Sequence, residues 1–289
     1  MKLRTGILGW SLFCLTCLAM GTETPSRPGW KLMFEDTFDQ KVLDENKWIA
    51  AYRPGRADYY RRIGKGTGFG GSPAHYVVED GILKLRLSEE LPKRPSLHAA
   101  AVSSIQTSQY RYDEKTQTFS TDDRFVQKYG MFEIRCRMPR GSGLHSAFWL
   151  LQMDADKQEI TVDGKRKQIG DGVVEIDIFE MLGKDVDAKV NLFNVHFTRN
   201  GHFRYSVPFD VSQEFHVWGL EWEEGKLTWY LDGEPIRVYE GETPQQEMFV
   251  LLGLYQGCGW TGAMQEDMPY PRDFEIDFIR IWQKEEPRQ

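Results

Sequence analysis

Three carboxylates fall within six residues in Val174-Glu175-Ile176-Asp177-Ile178-Phe179-Glu180. Large apolar side chains rich in β-branching separate them, which predicts a strand. Side chains alternate faces along a strand, so Glu175 and Asp177 share one face while Ile176 and Ile178 take the other. Regular pairing would turn Glu180 to the face of the isoleucines. A β-bulge absorbing one residue around Ile178 or Phe179 returns it to the acidic face. Crowded carboxyls can then divide their labour, one staying ionised as a nucleophile and another raised toward neutral pH to give up a proton. Two carboxyls in those roles, roughly 5–5.5 Å apart, are what hydrolysis of a glycosidic bond with retention requires. The shorter Asp177 would sit between the two glutamates and orient them. The same alternation also describes an ordinary half-exposed strand, and these seven residues alone do not separate the two readings.

The elements that must hold such a strand are themselves mostly strands. Tyr76 to Leu87 reads as a hairpin turning at Asp80-Gly81, and Leu227 to Val238 as a second turning at Asp232-Gly233. From Met131 to Met138 the apolar Phe132, Ile134, Cys136 and Met138 alternate with Glu133, Arg135 and Arg137. Phe215 to Trp222, Met248 to Tyr255 and Phe274 to Trp282 are further strands, with Trp222, Trp229 and Trp282 expected in the core. Long amphipathic helical patterns are nearly missing, so the fold class is all-β, a sandwich or jelly roll. The polar stretches 51–72, 88–100 and 154–172 are expected as loops that shape a groove.

The chain has 289 residues, 40% hydrophobic and 13% aromatic, enough for one large β domain. Its net charge of −7, with scattered Lys and Arg, excludes nucleic acid as a natural partner. Residues 1–21 have the form of a secretory signal: Lys2 and Arg4 at the start, an apolar run from Ile7 to Met20, and Ala19-Met20-Gly21 for cleavage. That run is too short and interrupted for a membrane span. Losing those two cations from a net charge of −7 leaves −9. A secreted or periplasmic protein is expected, with no membrane attachment after cleavage and a lipoprotein as the weaker alternative for Cys14 and Cys17. Residues 22–29 form a polar linker and 30–289 a single catalytic domain, for which nothing demands more than a monomer. Cys136 and Cys258 can be a disulfide or two buried thiols.

Glu175-Ile176-Asp177-Ile178-Phe179-Glu180 resembles the Glu-x-Asp-x-x-Glu signature of glycoside hydrolase family 16, in its laminarinase-like group with a bulged active-site strand. The resemblance extends along nearly all of 30–289. It includes Trp30 to Phe38 with Leu43-Asp44 and Lys47-Trp48, Tyr129-Gly130-Met131-Phe132-Glu133-Ile134-Arg135, and Ala147-Phe148-Trp149-Leu150-Leu151. Phe215-His216-Val217-Trp218, Glu221-Trp222, Tyr230-Leu231-Asp232-Gly233 and Asp277-Phe278-Ile279-Arg280-Ile281 follow in order. The resemblance implies a concanavalin-A-like jelly-roll sandwich of two antiparallel sheets with a concave substrate cleft. It implies Glu175 as nucleophile, Asp177 as the assisting carboxylate and Glu180 as acid/base, in a retaining endo-hydrolase of β-linked polysaccharide. Trp149, His196 and Trp260 match positions the family uses near the substrate. A structural calcium is common in the family, and Asp277 with backbone oxygens near Glu35 and Gly81 matches its ligands. Catalysis itself implies no cofactor.

One departure bears on substrate. Where laminarinases usually carry Trp-Pro before Ala-Phe-Trp, this chain has His145-Ser146, exchanging a flat stacking surface for a hydrogen-bonding group. The lead substrate is β-1,3- or β-1,3/1,4-glucan. A galactan such as agarose, porphyran or carrageenan is the alternative, with Arg53, Arg56, Arg61 and Arg62 available to an anionic sugar. A non-catalytic glycan-binding protein and a transglycosylase are the rivals from other classes; binding alone needs no paired carboxyls.

Overall fold

The computed structural model describes residues 25–50, 76–88, 101–113, 116, 118–152, 159–162, 165–168, 174–186, 190–196, 201–257, 259–263 and 267–286. Eight strands form one antiparallel sheet, in the order β16 (Glu234–Glu240), β15 (Lys226–Leu231), β14 (His216–Glu223), β7 (Gly130–Arg137), β18 (Arg272–Lys284), β3 (Ile82–Leu87) and β2 (Tyr76–Glu79). The eighth, β1 (Trp30–Asp36), also pairs with β18. Six strands form the second sheet, in the order β13 (Phe203–Ser206), β12 (Val190–Phe193), β11 (Glu175–Leu182), β8 (Leu144–Gln152), β17 (Met248–Gln256) and β4 (Ala101–Gln106). Two hairpins stand apart, β5 (Ser108–Asp113) with β6 (Thr118–Asp123) and β9 (Glu159–Val162) with β10 (Lys165–Gln168). The only helical turn among the described residues is a short 3-10 turn, Gly259–Thr261.

Alternation builds this sandwich. On β7 the side chains of Phe132, Ile134 and Cys136 are buried while Glu133, Arg135 and Arg137 stay partly open. Both expected hairpins turn where Asp-Gly falls. Asp80 and Gly81 have φ of 53° and 73°, and Asp232 and Gly233 have 51° and 85°, the left-handed pair that a two-residue turn needs. One apolar core joins the inner faces of both sheets, including Phe148, Ile176 and Phe179 from the smaller sheet and Trp218, Trp222 and Trp229 from the larger. The stretch 154–172, expected as a loop, instead contains the β9–β10 hairpin. Residues 51–72 and nearly all of 88–100 lie outside the described residues, as do the signal, Arg53, Arg56, Arg61, Arg62 and Cys258. Cys136 is a buried free thiol.

The oxygens matched to a calcium site lie on the eight-stranded sheet, and cations of the chain already engage those of Glu35 and Asp277. Lys47 donates from Nζ to the Glu35 carbonyl at 2.7 Å. Arg280 donates to the Glu35 carboxylate at 2.8 Å, and Arg135 pairs with the Asp277 carboxylate. Gly81 lies in the β2–β3 turn. A hard divalent ion needs six to eight oxygens drawn away from other cations. The residues present therefore do not fit calcium. A bound ion at a hundred times its Kd would add about 2.7 kcal/mol, raising the melting midpoint by about 5–10 °C. We expect instead the same midpoint in millimolar calcium and in excess EDTA, measured by circular dichroism; a rise with calcium would overturn this.

Candidate active site

The acidic strand β11 lies between β12 and β8. Its pairing with β8 runs Glu175 to Leu151, Ile176 to Leu150 and Asp177 to Trp149, then resumes at Phe179 to Phe148 and Glu180 to Ala147. Ile178 is the extra residue. Glu175, Asp177 and Glu180 thus oppose Leu151, Trp149 and Ala147, which alternate along β8 and share one face. Ile176, Ile178 and Phe179 go to the core with no exposed surface. A bulge leaves part of the ladder unpaired, and here the Asp177 carbonyl accepts from the Trp229 indole, at 3.2 Å, across the sandwich. Trp229 is a core residue as expected, but its hydrogen bond to the catalytic strand has no signature in the sequence.

The segment following β12 supplies the acids' partners. Asp177 N donates to Asn194 O at 2.8 Å and His196 N to Glu175 O at 3.0 Å, with Ile176 opposite Val195. This register sends the alternate side chains Asn194 and His196 to the acidic face. His196 Nε2 lies 3.0 Å from Asp177 Oδ2 and 3.6 Å from Glu175 Oε1. Asn194 donates from Nδ2 to Glu180 Oε2. From β8, His145 Nε2 lies 3.2 Å from Glu180 Oε1, without the alignment of a hydrogen bond.

Burial, then the charges of Glu180 and Glu175, push the Asp177 carboxyl well above its ordinary range, against the pull of His196. Burial disfavours the His196 imidazolium, but the hydrogen bond and charge of Asp177 carry its pKa up to about 9. These two groups titrate as a unit. Their 3.0 Å contact retains one proton beyond neutral pH. Burial alone would raise Glu180; His145 beside it and the Asn194 amide outweigh burial and hold it below the ordinary carboxylate value. The proton that the sequence reading assigned to Glu180 is thus drawn, in the free site, to the centre of the triad.

The remaining expected contacts divide. His145 is buried, its ring 4.8 Å from that of Trp260 and 5.2 Å from that of Tyr255. Trp260 is 48% exposed, an open aromatic face one residue removed from Glu180. Trp149 shares the acidic face but is only 5% exposed, packed with Leu151, Phe249, Leu251 and Tyr255. Its indole donates to the Tyr255 hydroxyl at 3.2 Å. Gly253 permits this, since a Cβ there would meet the Tyr255 hydroxyl at 2.0 Å. Trp149 thus has little exposed surface, and its indole nitrogen is already engaged by the Tyr255 hydroxyl. Asn194 was missed by the sequence reading, because nothing about an isolated Asn marks it as a carboxylate's partner.

Comparison with known proteins bears on the family. A β-glucanase of Rhodothermus marinus is 25% identical over 92% of this chain and 90% of its own length. Glucan endo-1,3-β-glucosidase A1 of Niallia circulans is 23% identical over 93% of this chain, which spans only 40% of that relative. Among solved structures, a GlcNAcα1-4Gal releasing endo-β-galactosidase of Clostridium perfringens aligns with TM-score 0.69 and 26% identity, over 91% of this chain and 64% of the other. The catalytic domain of an endo-1,3-β-glucanase (laminarinase) from Thermotoga petrophila shares the fold, with TM-score 0.61 and 23% identity over 89% of this chain and 99% of the other. The model of glycosyl hydrolases family 16 matches residues 73–279, more than half of the sequence and all of β11 with its two flanking strands, and the chain belongs to that family.

Proposed function

We propose that this chain is a secreted, retaining endo-glycosidase acting on a β-linked polysaccharide, with β-1,3- or β-1,3/1,4-glucan as lead substrate. The observation that carries the reading is the bulge at Ile178, which turns Glu175, Asp177 and Glu180 to one face. The names of the relatives, several of them β-glucanases, support the substrate class. Bound substrate displaces water from Glu180 and lets that carboxyl take up a proton; Glu175 then attacks the anomeric carbon, and the glycosidic C–O bond breaks as Glu180 delivers this proton to the leaving oxygen. In the second step Glu180 takes a proton from water, whose oxygen displaces Glu175 and frees the sugar with its β configuration. A sugar hydroxyl in place of that water gives transglycosylation. Asp177 and His196 keep one proton between them and so spare Glu175 the full repulsion of a second anion.

A galactan is the second reading. His145 beside Glu180 is polar where a laminarinase-like site would be flat and aromatic, and the endo-β-galactosidase is the relevant likeness.

Glu175→Gln and Glu180→Gln should each lower turnover by about a thousandfold or more while leaving glycan affinity within a small factor. Oligosaccharide release from laminarin, lichenan, agarose, porphyran and carrageenan, with NMR of the newly formed anomer, decides substrate and stereochemistry together. Unchanged turnover in either variant would sink the assignment, and oligomers lengthened by an added acceptor would make the chain a transglycosylase.

The His196 pKa also sets a stability window. It is raised in the fold from 6.5 to about 9, so the stabilisation is complete below pH 6.5 and is lost as pH climbs through 9. The melting midpoint of the wild type should exceed that of His196→Asn at pH 6, with the gap closing by about pH 10. A gap independent of pH would show that the imidazolium contributes nothing.

A further inference from the structure

Asn194 is almost fully buried and reaches Glu180 from outside the catalytic strand. Its other amide atom, Oδ1, lies 3.0 Å from His202 Nδ1. His202 is exposed, with its ring edge-on to that of His196 at 5.6 Å. A close backbone approach brings it there: Val195 N donates to Gly201 O at 3.1 Å, and a Cβ on Gly201 would meet the Val195 carbonyl at 1.9 Å. A side chain at 201 would push His202 away from Asn194.

The donor inventory fixes the direction of this chain of contacts. An ionised carboxylate only accepts, so Asn194 presents its NH2 to Glu180 and its carbonyl to His202, which must donate from Nδ1. When Glu180 takes up a proton, Oε2 still accepts from Asn194, and the proton resides on Oε1. If the amide turned over, its carbonyl would face Glu180, draw the proton onto Oε2 and hold it in a hydrogen bond, away from any leaving group. An Asn amide has no intrinsic preference between the two orientations. The donor at its far end supplies one.

We propose that His202 is a positioning residue for the acid/base: by donating to Asn194 Oδ1 it fixes the amide so that Glu180 carries its transferable proton on Oε1. In the first step that proton passes from Oε1 to the glycosidic oxygen as the C–O bond breaks; in the second, Oε1 receives the proton of the attacking water. The proposal rests on the glycosidase reading above, so its test uses two substrates that report on proton delivery separately.

His202→Phe keeps a ring against His196 but lacks the donor, and His202→Asn restores an N–H near the position of Nδ1. Both are compared with wild type on the polysaccharide it cleaves and on an aryl β-glycoside of the matching oligosaccharide, whose phenolate departs without protonation. Losing one such hydrogen bond should lower kcat on the polysaccharide about tenfold in the Phe variant, with KM unchanged. The phenolate burst of the aryl glycoside, which reports the first step alone, should be unaffected, and the Asn variant should recover most of the loss. Because His202 is exposed, both variants should melt with the wild type, which circular dichroism checks. The proposal is overturned if His202→Phe matches wild type on the polysaccharide, if it loses both activities equally, or if His202→Asn is no better than His202→Phe. A wild type that releases nothing from either substrate overturns the glycosidase reading, and this inference with it.

Discussion

One residue too many in β11 governs this site, and the core enforces it. Phe179 packs against Phe148, Trp218 and Phe274, with ring centroids at 6.2, 5.4 and 6.1 Å. Without the bulge, strand parity would exchange the two side chains, laying Phe179 among the acids and driving Glu180 between the sheets. Exposing the phenylalanine forfeits about 1.5–3 kcal/mol of burial. Burying an unpaired carboxylate costs several kcal/mol more. Against that sum the bulge costs little, since Trp229 satisfies the Asp177 carbonyl at 3.2 Å. Hydrophobic packing on one side of the strand thus assembles the chemistry on the other.

Crowding three carboxylates creates a second demand, met entirely from outside the strand. Two unit charges 4 Å apart repel by about 4 kcal/mol near a protein surface. Each of the three carboxylates has a nitrogen partner from outside β11: His196 for Asp177 and Glu175, Asn194 and His145 for Glu180. Their placement follows from backbone register alone. The contacts between Asp177 N and Asn194 O and between His196 N and Glu175 O set which alternate side chains face the acids. A one-residue slip of this segment would turn both donors away and bury them beside Ile176.

Much of this could be read from residue types because the signals are local. Asp-Gly between alternating runs names a hairpin, and it did so twice. The parity conflict at Glu180 names a bulge, and the shift falls at Ile178, inside the predicted interval. Contacts between residues distant in sequence left no such mark. Trp229 reads as core whether or not its indole reaches the Asp177 carbonyl. Trp149 reads as a cleft residue by its place in the strand, and nothing in the sequence announces that its indole meets the hydroxyl of Tyr255, more than a hundred positions away, which packs over Gly253. Polarity misled over 154–172, since a short polar hairpin has the composition of a loop.

That burial leaves a different indole exposed. Trp260, on its short 3-10 turn, is 48% exposed where Trp149 is 5%. Its edge contact with His145 at 4.8 Å, and the 3.2 Å from His145 to Glu180, link that surface to the acid/base. A sugar ring stacked on Trp260 would strip water from His145 and Glu180 together. Removing water strengthens whatever charge interaction lies between them. It also removes the solvent that competes for Glu180 Oε1, leaving the glycosidic oxygen as its acceptor. A Trp-Pro pair in place of His145-Ser146 would offer the same ring more stacking area but no polar group to sense its arrival. If Glu180 is the acid and Trp260 meets the sugar, exchanging His145-Ser146 would alter how Glu180 is protonated together with which sugar fits.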